Sequence, residues 1–293
     1  MQKTRWLLMI LALAVFACGK PDKPEMILPT YQQDFKTDVA WIVLEWNGKP
    51  TGGWGSGFLV DRQKGLFYTN KHVSEVFNAL GQGSHKMFFN GKVYNIKTLK
   101  TEPLVDAALV RITDKFDSSE FPEPARFVED KLKVGDRVVV EGFHVHPYAV
   151  RQVDEEAGYK YPTLTIFSDY YKMPTKDITK EQEIVFERLE AQVTAIEKKI
   201  AIGGQGSGVV QNLRNTTNSY VEIKTKKDHL FSFAGLSGTV VRNEQGETVG
   251  IFTAGPEVEV DPDTGQKLPG GITIMKRVFR TAYLTPIQAV NLK

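Results

Sequence analysis

A histidine, an aspartate and a serine in that order can turn a hydroxyl into a nucleophile if the fold brings them together. The imidazole takes the hydroxyl proton, and the carboxylate holds the imidazole's tautomer. The chain has histidines at 72, 85, 144, 146 and 229. His72 stands in "GLFYTNKHVSEVF", just past the end of an apolar strand, where a side chain is rigidly held yet can face a cleft. Asp106 stands in "PLVDAALVRI", at the head of another apolar strand, where a carboxylate can be buried against an imidazole. Ser237 stands in "SFAGLSGTVV", between glycines and before a β-branched run. Taken alone, Gly235-Leu236-Ser237-Gly238 reads equally well as a polar loop between two strands. The other two residues turn it into a candidate nucleophile.

The elements that must position these residues are short strands. From Val39 onward the chain shows brief apolar runs cut by glycine turns: "VAWIVLEW", "GSGFLVD", "GLFYTN", "KMFFNGKVYNIKTL" and "DAALVRI". Asn90-Gly91 is a two-residue hairpin signal, and Gln245-Gly246 marks a second hairpin tip. Strands this short and frequent predict an all-β sandwich or barrel. Residues 114–127, with Pro122 and Pro124 and no apolar pattern, predict a linker. The expected parts are one β-domain over 39–120 and a second over 126–293, with an insert at about 144–205. Within the insert, Val185, Leu189, Val193, Ile196 and Ile200 recur at spacings of 4, 4, 3 and 4. That favours a helix for 177 to about 190. "LEAQVTAIE" also alternates, so a strand stays open beyond it. Thr285-Pro286 predicts the cap and first residue of a short C-terminal helix.

In order, "GSGFLV…GLFYTNKHV", "DAALVRI", "LKVGDRVVVEGF", "FAGLSGTVV…GETVGIFTAG" and "TAYLTPIQAV" resemble the trypsin-like serine peptidases, the bacterial HtrA-type branch in particular. The resemblance covers about 39–143 and 205–293. It implies two packed, antiparallel six-stranded β-barrels with the site in their seam. His72 and Asp106 would lie in the first barrel and Ser237 in the second. It further implies a serine endopeptidase acting on protein or peptide substrates through an acyl-enzyme, with no cofactor and no metal. Ser237 would attack, His72 would carry the proton, Asp106 would orient His72, and the amides of Gly235 and Ser237 would form the oxyanion hole.

There are departures. Thr239 stands where the family has a second glycine, and is expected to narrow the cleft or tilt the loop. The insert is unlike common members. The chain stops at Lys293, where HtrA-type proteins often continue into a peptide-binding domain, so peptide gating is not implied. By family position, Phe231, Phe233, Thr253 and Ala254 would line the substrate pocket. With no acidic residue there, the expected cleavage follows small or medium apolar residues. The alternative is a catalytically silent binding or scaffold protein on the same fold; a β-rich lipoprotein in which the three residues coincide by chance is a further one.

Other candidates are weaker. His144 and His146 would share a strand face. With no third ligand evident, a solvated loop is the expectation rather than a metal site. "GGQGSGVV", 203–210, lacks the lysine of a phosphate-binding loop. Lys plus Arg number 37 against 35 Asp plus Glu, which leaves no basic excess for nucleic acid.

The N-terminus reads as a targeting segment. Lys3 and Arg5 precede the apolar run "WLLMILALAVFA", 6–17. This is shorter than the roughly 20 residues of a membrane span and suits a signal-peptide core. It ends at Cys18, the single cysteine, in a context that resembles the lipobox of bacterial lipoproteins. That resemblance implies removal of 1–17, lipidation of Cys18, a tether over 18–38, and attachment to a bacterial envelope membrane facing the periplasm or exterior.

Overall fold

The structure, a computed structural model, describes residues 35–75, 83–147, 150–160, 164–172, 182–202, 216–229, 232–255, 259–267 and 273–292. The predicted signal segment and Cys18 lie outside these residues. The fold is all-β. β1 (Val39–Trp46), β2 (Lys49–Asp61), β3 (Leu66–Thr69), β4 (Gly83–Phe89), β5 (Lys92–Thr101) and β6 (Ala108–Ile112) close into a barrel in the order β1-β2-β3-β6-β5-β4. Closure leaves no unpaired edge. The β4–β5 hairpin turns at Asn90-Gly91, as expected. Both residues have positive φ, 46° and 79°, which is the geometry a two-residue hairpin needs. The five-residue helix α1 (Lys71–Glu75) follows β3.

β1 shows why its sequence is a continuous apolar run rather than an alternating one. Ala40 and Ile42 point into the barrel beside Leu59, Phe67, Met87, Phe89 and Val110. Val39, Trp41 and Val43 point the other way and pack with Phe58, Tyr68 and Phe88. Phe143, Val240 and Ile251 of the second half of the chain join the same cluster. Both faces of β1 are therefore buried over residues 39–44, and the polar residue that follows, Glu45, is itself buried and accepts from the Ser84 hydroxyl at 2.8 Å.

β7 (Arg137–Pro147), β8 (Gln182–Ile202), β9 (Thr216–His229), β10 (Val240–Asn243), β11 (Thr248–Ala254), β12 (Glu259–Lys267) and β13 (Thr273–Pro286) form one sheet in the order β11-β10-β7-β8-β9-β13-β12. A further β11–β13 pairing closes six of these strands into a second ring, with β12 outside it. Val138, Val140, Leu189, Val193, Ile223, Leu236, Phe252 and Leu284 fill its interior.

Three expectations need correction. The helix predicted for 177 to about 190 is a strand over the described part of that range, paired with β7 from Arg137↔Gln192 to Pro147↔Gln182. The spacing of 4 between Val185, Leu189 and Val193 fits a helix and is also a multiple of the strand period. The insert is also shorter than 144–205. β7 runs on to Pro147, and the segment between β7 and β8 holds the helices α2 (Arg151–Glu156) and α3 (Leu164–Tyr171). Finally, the C-terminal helix is a single 3₁₀ turn, Ile287–Ala289. Thr285 does not cap it, because Thr285 belongs to β13 and its hydroxyl bonds Thr253 Oγ1 at 2.8 Å.

The segment from β6 to β7 lies on the body. Phe121 is buried in the first barrel and Phe116 stacks on it, with ring centres 5.2 Å apart. The tether predicted to run to residue 38 gives out earlier. Phe35 packs on Phe186 at 4.9 Å, and Asp38 takes both oxygens to Arg242 Nη2 at 2.6 Å.

Candidate active site

Two of the three sequence-predicted residues meet directly. β3 ends at Thr69, and His72 sits in the first turn of α1. Asp106 sits in the turn before β6 and is 4% exposed. Its Oδ2 lies 2.6 Å from His72 Nδ1, and its Oδ1 accepts the backbone N–H of His72 at 3.0 Å. One carboxylate thus grips both the ring and the main chain of one residue. A carboxylate at Nδ1 places the neutral ring's proton there and leaves the lone pair on Nε2. Asn70 supports the pair from behind: its Nδ2 donates to the Asp106 carbonyl at 2.7 Å and lies 3.5 Å from Thr253 Oγ1.

Ser237 comes from the second barrel's loop and is wedged against the first. The Ser56 amide of β2 donates to the Ser237 carbonyl at 2.7 Å. This close approach explains the "GSG" of β2. A Cβ on Gly55 would stand 2.7 Å from both γ-carbons of Val73, next to His72, and 3.1 Å from the Ser237 carbonyl. Gly238 has φ +85°, and a Cβ there would stand 1.9 Å from the Ser56 carbonyl. The Ser237 hydroxyl donates to the Thr253 carbonyl at 3.3 Å. Among the hydrogen bonds of the described residues, none joins it to His72. The structure therefore pairs His72 with Asp106 and sets Ser237 beside the residue after His72, with the hydroxyl bonded to Thr253.

The loop before Ser237 presents free amides. Leu236, Gly238 and Thr239 donate to the carbonyls of Phe233, Phe252 and Leu236. The N–H groups of Gly235 and Ser237 have no acceptor among the described residues. Gly235 has φ +107°, which only glycine adopts cheaply. His144 Nε2 lies 2.9 Å from the Ala234 carbonyl. Because the peptide is planar and trans, this turns the Gly235 N–H away from His144.

Thr239 does not act on the cleft as expected. Its side chain is fully buried and fits the space left by Gly142 of β7, where a Cβ would stand 2.2 Å from the Thr239 hydroxyl. The pocket residues are only partly where the resemblance would put them. Phe233 is a core residue, 5.1 Å from the His229 ring and 5.9 Å from Phe252, so it does not line an open pocket. Thr253 is 1% exposed and bonded to Thr285 and the Ile251 carbonyl. Ala254 pairs with Tyr283 through the backbone, and Phe231 lies outside the described residues.

The solvated loop expected at His144 and His146 is a strand, and both residues are 1% exposed. They face Glu187 of β8 and His229 at the end of β9, both buried. Sequence reading passed over Glu187 and His229. A signal for Glu187 was available: it occupies an inward position between Val185 and Leu189, where an apolar residue belongs. His144 Nδ1 is 2.8 Å from Glu187 Oε1, and His146 Nε2 and His229 Nε2 are 3.3 and 3.1 Å from Glu187 Oε2. Asp154 of α2 accepts from His146 Nδ1 at 2.8 Å. Burial alone would push the His146 imidazole down, but the hydrogen bonds to Asp154 and Glu187 outweigh it and raise it to about 9. Burial pushes Glu187 up, and the charge of His144 together with the hydrogen bonds of His144, His146 and His229 overcomes this and holds it well below the usual carboxylate range.

Neither a family model nor a curated protein matches this chain. Among solved structures it is similar to the protease Rv3671c from M. tuberculosis. The active form is 14% identical, with a TM-score of 0.48 over 86% of this chain and 77% of that one. The inactive form of a mutant is 15% identical, with a TM-score of 0.46 over 86% and 82%.

Proposed function

We propose that the chain is a serine endopeptidase of the trypsin-like kind, with Ser237 as nucleophile, His72 as base and Asp106 as its orienting carboxylate. One observation carries the reading: the Asp106 carboxylate spans His72 Nδ1 and the His72 amide at 2.6 and 3.0 Å, beside a serine held between two glycines of positive φ. In the reaction a rotation of the Ser237 side chain moves its hydroxyl from the Thr253 carbonyl to His72 Nε2. The hydroxyl oxygen then attacks a peptide carbonyl while its proton passes to Nε2. The carbonyl oxygen becomes an oxyanion facing the N–H groups of Gly235 and Ser237. The imidazolium, stabilised by Asp106, returns the proton to the departing amine. Water hydrolyses the acyl-enzyme by the same route. The proposal includes a bacterial lipoprotein anchor at Cys18, which rests on residues 3 to 18 of the sequence alone, and a substrate of protein or peptide.

The rival is a silent site on the same fold, favoured by the Ser237 hydroxyl bonding Thr253 instead of His72. An organophosphonate serine probe separates the two. The peptidase reading expects stoichiometric labelling, lost in Ser237→Ala and in His72→Ala while circular dichroism stays native, with turnover down by about 10⁶ for loss of the nucleophile. A folded wild-type chain that takes no label is the silent protein.

A further inference from the structure

The buried group on β7, β8 and the end of β9 plays no part in that chemistry, and its proton arrangement is unusual. The Ala234 carbonyl can only accept, so His144 carries its proton on Nε2. Asp154 accepts from His146 Nδ1, so Nε2 is the His146 nitrogen through which a cation would be held. The two nitrogens left facing each other, His144 Nδ1 and His146 Nε2, are 3.1 Å apart, so at most one proton lies between them. They face the Glu187 carboxylate, which also only accepts, and His229 Nε2 points at the same oxygen as His146. Four ligating side chains converge on one point inside the protein, and a cation there can satisfy them together.

The distances suit one. Ligand atoms on a tetrahedral zinc at 2.0–2.1 Å lie about 3.3 Å apart. His144 Nδ1 and His146 Nε2 are 3.1 Å apart, His146 Nε2 and His229 Nε2 lie 3.3 and 3.1 Å from Glu187 Oε2, His144 Nδ1 lies 2.8 Å from the other oxygen, Oε1, and one ligand atom from each residue lies within 4.8 Å of all the others. The outer partners are those that metal-bound imidazoles recruit: a carboxylate behind His146 and a backbone carbonyl behind His144. Phe233 packs on the His229 ring and Tyr159 on that of His146.

We propose that His144, His146, His229 and Glu187 bind one divalent cation of the zinc class, with Asp154 and the Ala234 carbonyl holding two of the imidazoles in the ligating tautomer. All four ligating residues are buried, so the cation is structural. It also has a reach beyond itself. His144 ligates through Nδ1 and holds the Ala234 carbonyl through Nε2, directly before Gly235. The cation thereby fixes the peptide that aims the Gly235 amide; this consequence, unlike the site, rests on the peptidase reading.

The test is a titration of the chelator-treated full-length protein with Co²⁺, read by visible absorption and followed by displacement with Zn²⁺. One equivalent of cobalt with the strong bands of a tetrahedral site is expected. Asp154→Asn, which keeps every ligand, should weaken binding by about 10- to 100-fold. A His146→Ala/His229→Ala double variant should lose the bands. A folded wild-type protein that binds no cobalt would leave only a proton-sharing cluster and overturn the site. So would cobalt bound equally well by all three proteins. The serine probe, run on the same samples, keeps the two proposals apart: cobalt binding without labelling supports the metal site and removes the peptidase, and labelling without cobalt binding does the reverse.

Discussion

At the scale of single residues, the site is built as much by missing side chains as by present ones. Gly238 has no space for a methyl group, because the Ser56 carbonyl and Thr69 Oγ1 occupy it at 1.9 and 2.5 Å, and its φ of +85° is costly for any other residue. Gly246, at the β10–β11 tip, has a similar φ of +77° and open space around it. Comparing the two separates strain from collision. Gly246→Ala should cost about 1 kcal/mol for the left-handed backbone alone. Gly238→Ala should cost about 2–4 kcal/mol, since backbone strain and overpacking add. Urea unfolding midpoints of the two variants measure this difference, and equal costs would refute the packing argument. Thr239 and Gly142 make the complementary pair: the bulk of the Thr239 side chain is absorbed by a glycine on the neighbouring strand.

At the scale of elements, the segment between β7 and β8 is a brace. α3 places Phe167, 3% exposed, against Trp41 at 5.1 Å and Phe88 at 5.7 Å on the outer face of the first barrel. α2, in the same segment, supplies Asp154 to His146 of the second barrel. One connection thus touches both barrels. Phe167→Ala should destabilise the protein by about 3–5 kcal/mol, the usual cost of emptying a buried aromatic position. Tyr170→Ala, at a position 41% exposed, should cost well under half of that. Chemical denaturation of both variants is the check. Equal small effects would mean that the helix contributes nothing to the barrel it lies on.

At the scale of the whole molecule, the two barrels share a core. Val39, Trp41, Phe58 and Phe88 of the first and Phe143, Val240 and Ile251 of the second belong to one buried cluster. An ionic chain runs beside it: Asp38 holds Arg242, Arg242 Nε donates to Glu141 at 3.0 Å, and Arg188 Nε donates to the other Glu141 oxygen at 3.1 Å. Neither barrel can unfold without exposing the apolar face of the other. The chain should therefore lose tryptophan fluorescence and far-ultraviolet dichroism at one denaturant concentration. Two separated transitions would show that the barrels are energetically independent.

The sequence by itself determined the strand-rich fold, the hairpin at Asn90-Gly91 and the order His72, Asp106, Ser237. These are legible because short-range rules govern them: turn residues, apolar runs and the ends of strands announce themselves within a few residues. It misread β8, since a spacing of 4 satisfies two periods at once and the buried charge of Glu187 disguised the alternation that would have chosen between them. Only the tertiary structure decided that His144 and His146 are interior, that Glu187 and His229 join them from distant strands, and that the Ser237 hydroxyl rests on Thr253. The reason is physical. Which lone pairs and protons face each other depends on side chains brought within about 3 Å across strands, and no local pattern in the chain encodes that meeting.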